Sequence, residues 1–251
     1  MQNSELQYPV LRVTINGTPV DRRPAAFRLM TDQGVPAVIA RLSYPADVPA
    51  GKPGDALTVS LSTGGADSVL FTGELYGAAV HGAYRELSLT DGYKKLCDTA
   101  VMPAYRKEKA AVILEDTLEA SGITTTNITC PDLTLNRFST ERVSAARCIH
   151  LLIHALGEFG EAGLRYFFDA ENIFHFGKKE GAGRNEGPEI NLETGNNIIS
   201  RGEGRLEILP APVRHSQNIT VDGRVQETVR TDMIISQSNS RLTIWVKEPL
   251  T

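Results

Sequence analysis

Short stretches of alternating apolar and polar residues fill the first ninety positions of the chain. Residues 11–15 and 56–61 alternate with a period of two, and residues 69–75 and 84–89 follow the same pattern. A period of two places every second side chain on one face of a strand. The pair Asn16-Gly17 is a strong hairpin signal. The pattern predicts an antiparallel barrel or sandwich. Prolines are expected between its strands, at positions 19, 24, 36, 45, 49 and 53.

From about residue 91 the apolar spacing becomes that of helices. Residues 105–121 are predicted to form a first helix, and Gly122 is a suitable residue for its C-terminal stop. Residues 145–159 are predicted to form a second helix with Ser144 as its N-cap. Residues 123–140, rich in Thr and Asn, are expected to connect the two helices with at most one short extended piece.

Alternation returns after residue 163. Residues 164–176 predict a tight aromatic hairpin, and residues 177–188 (GKKEGAGRNEGP) predict a polar, Gly-rich, mobile loop. The pair Asp222-Gly223 predicts a further hairpin turn. The remaining predicted strands cover residues 205–209, 217–221, 224–229 and 241–246.

These elements predict a mainly β protein with helices, of the α+β class. Two β regions are separated by a stretch with two helices, without the alternation of strands and helices that a parallel sheet requires. The predicted domains are a first β domain over residues 1–92, a helical connector over 93–162 and a second β domain over 163–251.

Composition narrows the classes of function. Hydrophobic residues make up 41% of the 251 residues, which is typical of a globular protein and too much for a disordered one. The chain carries 26 Lys and Arg against 30 Asp and Glu, a net charge of −4, without a basic segment of the kind that binds duplex DNA. Neither a secretory signal nor an apolar run of about 20 residues occurs, so synthesis in the cytoplasm without membrane insertion is expected.

Three cysteines, Cys97, Cys130 and Cys148, are odd in number and widely spaced. Without a CxxC pair they suggest neither a zinc site nor a disulfide framework. Buried free thiols are expected at all three positions.

The most suggestive chemical pattern is His150, His154 and Glu158, spaced four residues apart on the second predicted helix. This spacing aligns two imidazoles and a carboxylate along one stripe, as a metal site would need. The order differs from HExxH, and Arg147 beside the stripe would oppose a cation. A polar helix face is therefore the favoured interpretation, and no metal or cofactor is predicted.

Other candidate sites are equally weak. The acidic pairs Glu158/Glu161 and Glu186/Glu189 could serve glycoside hydrolysis, but such pairs are common. The glycines at 181, 183 and 187 do not fit a phosphate-binding loop, and no nucleophile motif occurs. Aromatic residues that could stack on bases are expected instead in the core of the hairpin, namely Tyr166, Phe167, Phe168, Phe174 and Phe176. No catalytic residue is predicted, and the chain is not expected to be an enzyme.

Three segments carry a family resemblance: residues 87–96 (LSLTDGYKKL), 105–114 (YRKEKAAVIL) and 118–123 (LEASGI). Their order resembles the baseplate or tail hub proteins of contractile-tailed bacteriophages. That group includes the Mu-type tail hub, the late control protein D type and the hub part of type VI secretion spike proteins. The resemblance covers about residues 1–200 in the order of elements.

The resemblance implies two tail-tube-like antiparallel β-barrel domains joined by a two-helix connector. It implies a structural baseplate hub in the virion tail, in which a homotrimer adapts the hexameric tail tube to a trimeric spike and forms part of the central channel. The implied partners are the tail tube protein, the spike protein, other baseplate proteins and the tape-measure protein, without specific binding of nucleic acid. The alternative is a particle-associated cell-wall hydrolase or glycan-binding module.

Overall fold

The computed structural model describes residues 10–48, 51–62 and 67–247. Its contacts divide the chain into two compact units. Unit 1 takes residues up to Asp91 and from Asn185 onward, and unit 2 takes Gly92–Arg184. No helix in the described ranges is long and apolar enough to cross a membrane.

Unit 1 is built from strands of both β regions. The strands of its first region are β1 (Val10–Ile15), β2 (Thr18–Pro19), β3 (Ala26–Asp32), β4 (Val35–Pro45), β5 (Ala56–Ser62), β6 (Ser68–His81) and β7 (Tyr84–Thr90).

Unit 2 contains the helices, and its strands are short. In chain order its elements are α1 (Tyr93–Asp98), β8 (Ala100–Val101), β9 (Ala104–Lys109), α2 (Ala110–Ala120), β10 (Thr126–Ile128), β11 (Thr134–Ser139), β12 (Val143–Ser144), α3 (Ala145–Glu158), β13 (Arg165–Phe168) and β14 (Phe174–Gly177). The chain then returns to unit 1 with β15 (Asn191–Leu192), β16 (Ile198–Gly202), β17 (Arg205–Ile208), β18 (Asn218–Val221), β19 (Arg224–Ser236) and β20 (Ser240–Val246).

One hydrogen-bonded sheet runs through unit 1, in the order β16-β17-β20-β19-β3-β4-β7-β6-β5-β1-β2, with β18 beside β19 and β15 beside β18. The two β regions meet at β3 and β19, where Arg230–Ser236 pair antiparallel with Ala26–Asp32. The hydroxyls of Thr31 and Thr231 lie 2.8 Å apart inside this joint. Because both threonines are buried, one hydroxyl donates to the other away from water, and Thr31 Oγ1 also accepts a hydrogen bond from the backbone amide of His215 at 3.0 Å.

The mainly β class with helices is confirmed, and the chain divides differently from the predicted domains. The β regions predicted as two domains share one sheet and one core. The hairpin of β13 and β14, predicted in the second β domain, belongs to the helical unit because its aromatic side chains pack against the helices. A short third helix, α1, precedes the two predicted ones. Residues 1–9, 49–50, 63–66 and 248–251 of the predicted domains lie outside the described residues.

The first predicted helix begins later than expected. Residues 104–109 form β9, which pairs with β11, and Lys107 has a φ of 52° that a helix cannot contain. The end is as predicted: Gly122 has a φ of +67°, and the Ile123 and Gly122 amides donate to the carbonyls of Leu118 and Glu119. These two bonds make a Schellman motif. Ser144 caps α3 by accepting a hydrogen bond from the Arg147 amide at 3.2 Å.

Prolines do not all fall between strands. Pro24 and Pro53 do, as predicted, and Pro49 lies outside the described residues. Pro19, Pro36 and Pro45 lie within β2 and β4 instead. Pro19 and Pro45 end their strands, and Pro36 falls in the stretch where the pairing of β3 with β4 shifts register. Proline is tolerated there because no ladder hydrogen bond is lost.

The three cysteines differ in exposure. Cys148 is buried and Cys130 is half-buried, but Cys97 is exposed, so the expectation of a buried thiol is wrong at Cys97. Cys97 projects from α1, a two-turn helix whose only fully buried side chain is Leu96. Burial raises the pKa of Cys130 to about 11 and also raises the pKa of Cys148.

We expect one fast thiol in the folded protein. Ellman's reagent should modify Cys97 at once, because the thiolate is the reacting species and the other two thiols are shielded and held protonated. The variant Cys97→Ser should lose this fast phase, and urea should expose the remaining thiols. Two or three fast thiols in the native protein would contradict the burial described here.

Candidate functional site

The His150, His154 and Glu158 stripe lies on the solvent side of α3, with all three side chains exposed. The ring of His150 stands edge-on to Tyr166, with ring centroids 5.3 Å apart. The partial burial of this imidazole, whose ring contacts Tyr166, lowers the pKa of His150, and the positive charge of Arg147 adds to the effect. Among the described residues no three His, Cys, Asp or Glu side chains are placed to hold a metal ion.

We therefore expect the double variant His150→Ala/His154→Ala to have the same metal content as the wild type. Three exposed side chains on one helix present no further ligands to close a tetrahedral site. Elemental analysis of the purified proteins measures this directly. Stoichiometric zinc or iron that disappears in the double variant would contradict the expectation.

The other sequence candidates have structural roles. Glu161 forms an ion pair with Lys178 at 2.7 Å. Glu189 accepts a long hydrogen bond from the side-chain amide of Asn191. Glu158 and Glu186 are exposed. As predicted, every member of the aromatic group is buried, and all but Phe167 belong to the core cluster of unit 2. The members of the group are Tyr166, Phe167, Phe168, Phe174 and Phe176.

The glycine-rich segment forms tight turns. The Lys178 carbonyl accepts hydrogen bonds from the amides of Gly181 and Gly183. A Cβ at Gly183 would lie 2.2 Å from the Gly177 carbonyl oxygen, and one at Gly187 would lie 2.6 Å from the Gln217 amide. These glycines are required for close packing. Whether the segment is mobile, as predicted, stays a prediction.

A buried polar cluster in unit 2 has no counterpart in the sequence analysis. His175 on β14 places Nε2 2.8 Å from Asp169 Oδ2, and the exposed fractions of the two side chains are 7% and 13%. An ionised carboxylate can only accept, so Nε2–H donates and Nδ1 accepts from the Asn127 amide at 3.4 Å. The ring of Phe167 stacks on the imidazole with centroids 4.9 Å apart.

This cluster holds a hairpin together. Asp169 Oδ1 also accepts hydrogen bonds from the amides of Glu171 and Ile173, at 3.0 and 2.8 Å, in the turn between β13 and β14. Each nitrogen of His175 is within hydrogen-bond range of another unit 2 side chain, and one ring face is covered by Phe167. A general base must reach its substrate proton. The geometry of this cluster therefore indicates a structural role, the stabilisation of the hairpin of β13 and β14.

Among the described residues of unit 1, a pocket of about 580 Å³ lies beside β1 and β2. Ile15, Val20 and Val48 supply apolar lining, and the ion pair of Arg22 with Asp47 closes part of the rim at 2.8 Å. The volume is that of a small-molecule pocket, but the lining offers no convergent set of polar groups. We assign no ligand to it.

The extended surface of unit 1 is a sheet face rich in paired charges. Arg28 on β3 donates two hydrogen bonds to Asp232 on β19, at 3.0 and 2.7 Å. Beside them, the guanidinium carbon of Arg230 lies 4.8 Å from the ring centroid of Trp245. Such pairs fix the register of neighbouring strands. These pairs therefore stabilise the shape of this sheet face.

A comparison with protein-family models and one with curated protein sequences found no match. Solved structures do match over nearly the whole chain. A 43 kDa tail protein of prophage MuSo2 from Shewanella oneidensis has a TM-score of 0.72 at 10% identity, covering 96% of this chain and 98% of that one. A tail protein from Neisseria meningitidis MC58 has a TM-score of 0.69 at 10% identity, covering 96% and 97%.

A third match connects the fold to secretion machines. The E. coli c3393 protein has a TM-score of 0.70 at 12% identity, with coverage of 95% of this chain and 77% of that one. It is described as a component of the type VI secretion system with structural similarity to the T4 bacteriophage tail proteins gp27 and gp5. The chain therefore has the fold of phage Mu-type tail proteins and of type VI secretion spike-related proteins, as its family resemblance implied.

Proposed function

We propose that this chain is the structural baseplate hub of a phage tail or a related contractile injection machine. As a homotrimer it adapts the hexameric tail tube to a trimeric spike and contributes to the central channel. The observation that carries the proposal is the shared fold over 96% of this chain and at least 97% of two tail proteins, one of them from a prophage. The c3393 match supports a related injection machine beside a phage tail, because c3393 is described as a component of the type VI secretion system that is similar to phage tail proteins.

The partners follow from that position. The tube protein binds one side of the hub and the spike protein the other, with other baseplate proteins around them and the tape-measure protein inside. The working location is then the virion tail. The net charge supports a conduit role. With 30 acidic and 26 basic residues, the chain has no excess of positive charge that would retain a nucleic acid passing through the channel.

Reconstitution tests the proposal. The full chain should be mixed with the tube protein and the spike protein encoded for the same particle, and masses measured by size-exclusion chromatography with light scattering. We expect a complex with three copies of this chain. A protein that stays monomeric with both partners present would overturn the hub. Tight binding of labelled duplex DNA at physiological salt would overturn the conduit.

We also propose that the chain has no enzymatic activity of its own. The Asp169–His175 pair supports this proposal, because it is buried and both imidazole nitrogens already have partners. Purified full-length protein should leave peptidoglycan suspensions turbid and should not bind them in a pull-down assay. Clearing of the suspension, lost in Glu158→Gln or Glu186→Gln, would favour the hydrolase alternative instead.

A further inference from the structure

The strand β6 extends past its neighbour on one side. The strand β5 pairs with β6 only as far as Glu74, whereas β6 continues to His81 and stays paired with β7. We call residues 76–84, the end of this hairpin, the arm. Within the described part of the chain, no strand lies beside residues 77–81 on the side away from β7. The arm therefore presents an uncovered strand edge.

The arm lacks the features that protect strand edges in monomeric proteins. Its sequence, YGAAVHGAY, contains neither a charged residue nor a proline. Three of its large side chains are strongly exposed, with Tyr76 at 60%, Val80 at 58% and Tyr84 at 52%. Long apolar edges without Lys, Pro or cover are prone to pair with another chain. A stable protein with such an edge is expected to cover it in its working assembly.

The apolar side chains of Ala78 and Val80 in the arm lie on the same face of the hairpin as the core of unit 1. Ala78 pairs with Leu87, and Val80 pairs with Arg85, so each pair lies on the same face of the hairpin. Leu87 is buried in the core of unit 1. Ala78 and Val80 therefore lie on the core side of the hairpin, yet both are exposed, Val80 by 58%.

A second uncovered edge lies at one end of the same sheet. Among the described strands β16 pairs with β17 alone, with a register shift between Ile198 and Ser200. All residues of β16 except Ile198 are exposed, Ile199 by 58%. Six strands connect this edge to the arm without a break, in the order β17-β20-β19-β3-β4-β7. Both edges are five residues long, namely 77–81 and 198–202. They carry only one charged side chain between them, that of Arg201.

We propose that the arm of one copy pairs edge to edge with β16 of a second copy, so that the sheet of unit 1 continues from subunit to subunit. Pairing of two arms would stop at a dimer and leave both β16 edges uncovered. Pairing of unlike edges covers both the arm and β16 in every subunit once the ring closes. The number of subunits, three, rests on the proposed function, whereas the identity of the two edges rests on the geometry of this sheet.

Charge and backbone variants test the two edges. In a hairpin closed by Gly82-Ala83, residues 77, 79 and 81 bond to β7, so the amides of Ala78 and Val80 point outward. The variants Val80→Lys, Ala78→Pro and Ile199→Lys should each shift the full-length protein from the trimer to the monomer mass in light scattering. Val225→Lys, at a valine of 67% exposure on β19, is the matched control and should leave the mass unchanged.

Disulfide cross-linking identifies the partner edge. In a Cys97→Ser background, Ala78→Cys and Ile199→Cys are prepared as two separate full-length proteins. Mixed and oxidised, they should form a cross-linked dimer that neither forms alone. Cross-linking of Ala78→Cys with itself would overturn the proposal in favour of arm-to-arm pairing.

The outcomes separate this proposal from the function. If the wild type is a trimer and all three edge variants remain trimeric, the edge pairing is wrong while the trimeric hub stands. If the wild type stays monomeric even with the tube and spike proteins, the trimer fails, and the edge pairing fails with it.

Discussion

Replacing Gly73 with Ala should lower the free energy of unfolding by about 3 kcal/mol, the largest effect we expect from a single methyl group in unit 1. Gly73 is buried in β6 opposite Leu57. A Cβ there would lie 2.2 Å from the Thr90 carbonyl oxygen and 2.6 Å from the ring of Phe71. The carbonyl belongs to a paired strand and the ring is 1% exposed, so neither can yield without disturbing the sheet.

A matched control lies four residues further along the same strand. Gly77→Ala adds the same methyl group where no atom lies within 4 Å and φ is not positive. Its effect should stay within about 0.5 kcal/mol. Urea denaturation of the two variants beside the wild type measures the difference. Equal midpoints for Gly73→Ala and Gly77→Ala would show that the strand accommodates the methyl group and would refute the close approach.

Local signals in the sequence were sufficient for turns and helix ends. Asn16-Gly17 and Asp222-Gly223 both have two consecutive positive φ angles, as their hairpins require. Gly122 and Ser144 end and begin their helices as predicted. Each of these features depends on residues adjacent in the chain, so the sequence carries it directly.

Of the two strands that join the β regions of unit 1, β3 was missed and β19 was predicted only over residues 224–229, short of the part that pairs with β3, and the reason is physical. In β3 the inward positions are Phe27, Leu29 and Thr31, and an outward position is Met30. A buried hydroxyl and an outward methionine blur the alternation on which strand prediction depends. Thr31 is tolerated inside because Thr231, two hundred residues away, meets its hydroxyl. Pairing over that separation leaves no local signal, so the shared sheet could not be predicted.

The same limit applies to the arm and to β16. The apolar stretch of residues 69–75 was predicted as a strand, but β6 continues through six more residues of Gly, Ala, Val, His and Tyr. Small residues of this kind have low strand propensity on their own. They are extended here because β7 pairs with them. An edge can be recognised only after the sheet order is known.

The second large effect is expected in unit 2, where Asp169→Ala should lower the free energy of unfolding by about 3 kcal/mol. Asp169 accepts three hydrogen bonds, from His175 and from the amides of Glu171 and Ile173. Each is worth about 1 kcal/mol, and the His175 side chain left behind is 7% exposed and would lose its acceptor. In the sequence, Asp169 is only one residue of the predicted hairpin over 164–176. Its contact with His175 forms across the hairpin and leaves no local signal.

Companion variants separate the contribution of the hydrogen bonds in the turn from that of the contact with the His175 imidazole. Asp169→Asn retains an acceptor for the two amides, so it should cost about 1 kcal/mol. Glu171→Ala changes an exposed side chain of the same turn and should have almost no effect. In a double-mutant cycle, Asp169→Ala and His175→Ala together should cost clearly less than the sum of the single changes, because the second change removes the group that the first leaves unpaired. If the losses in the free energy of unfolding measured by urea denaturation are additive, the two side chains act separately and their contact does not stabilise the hairpin.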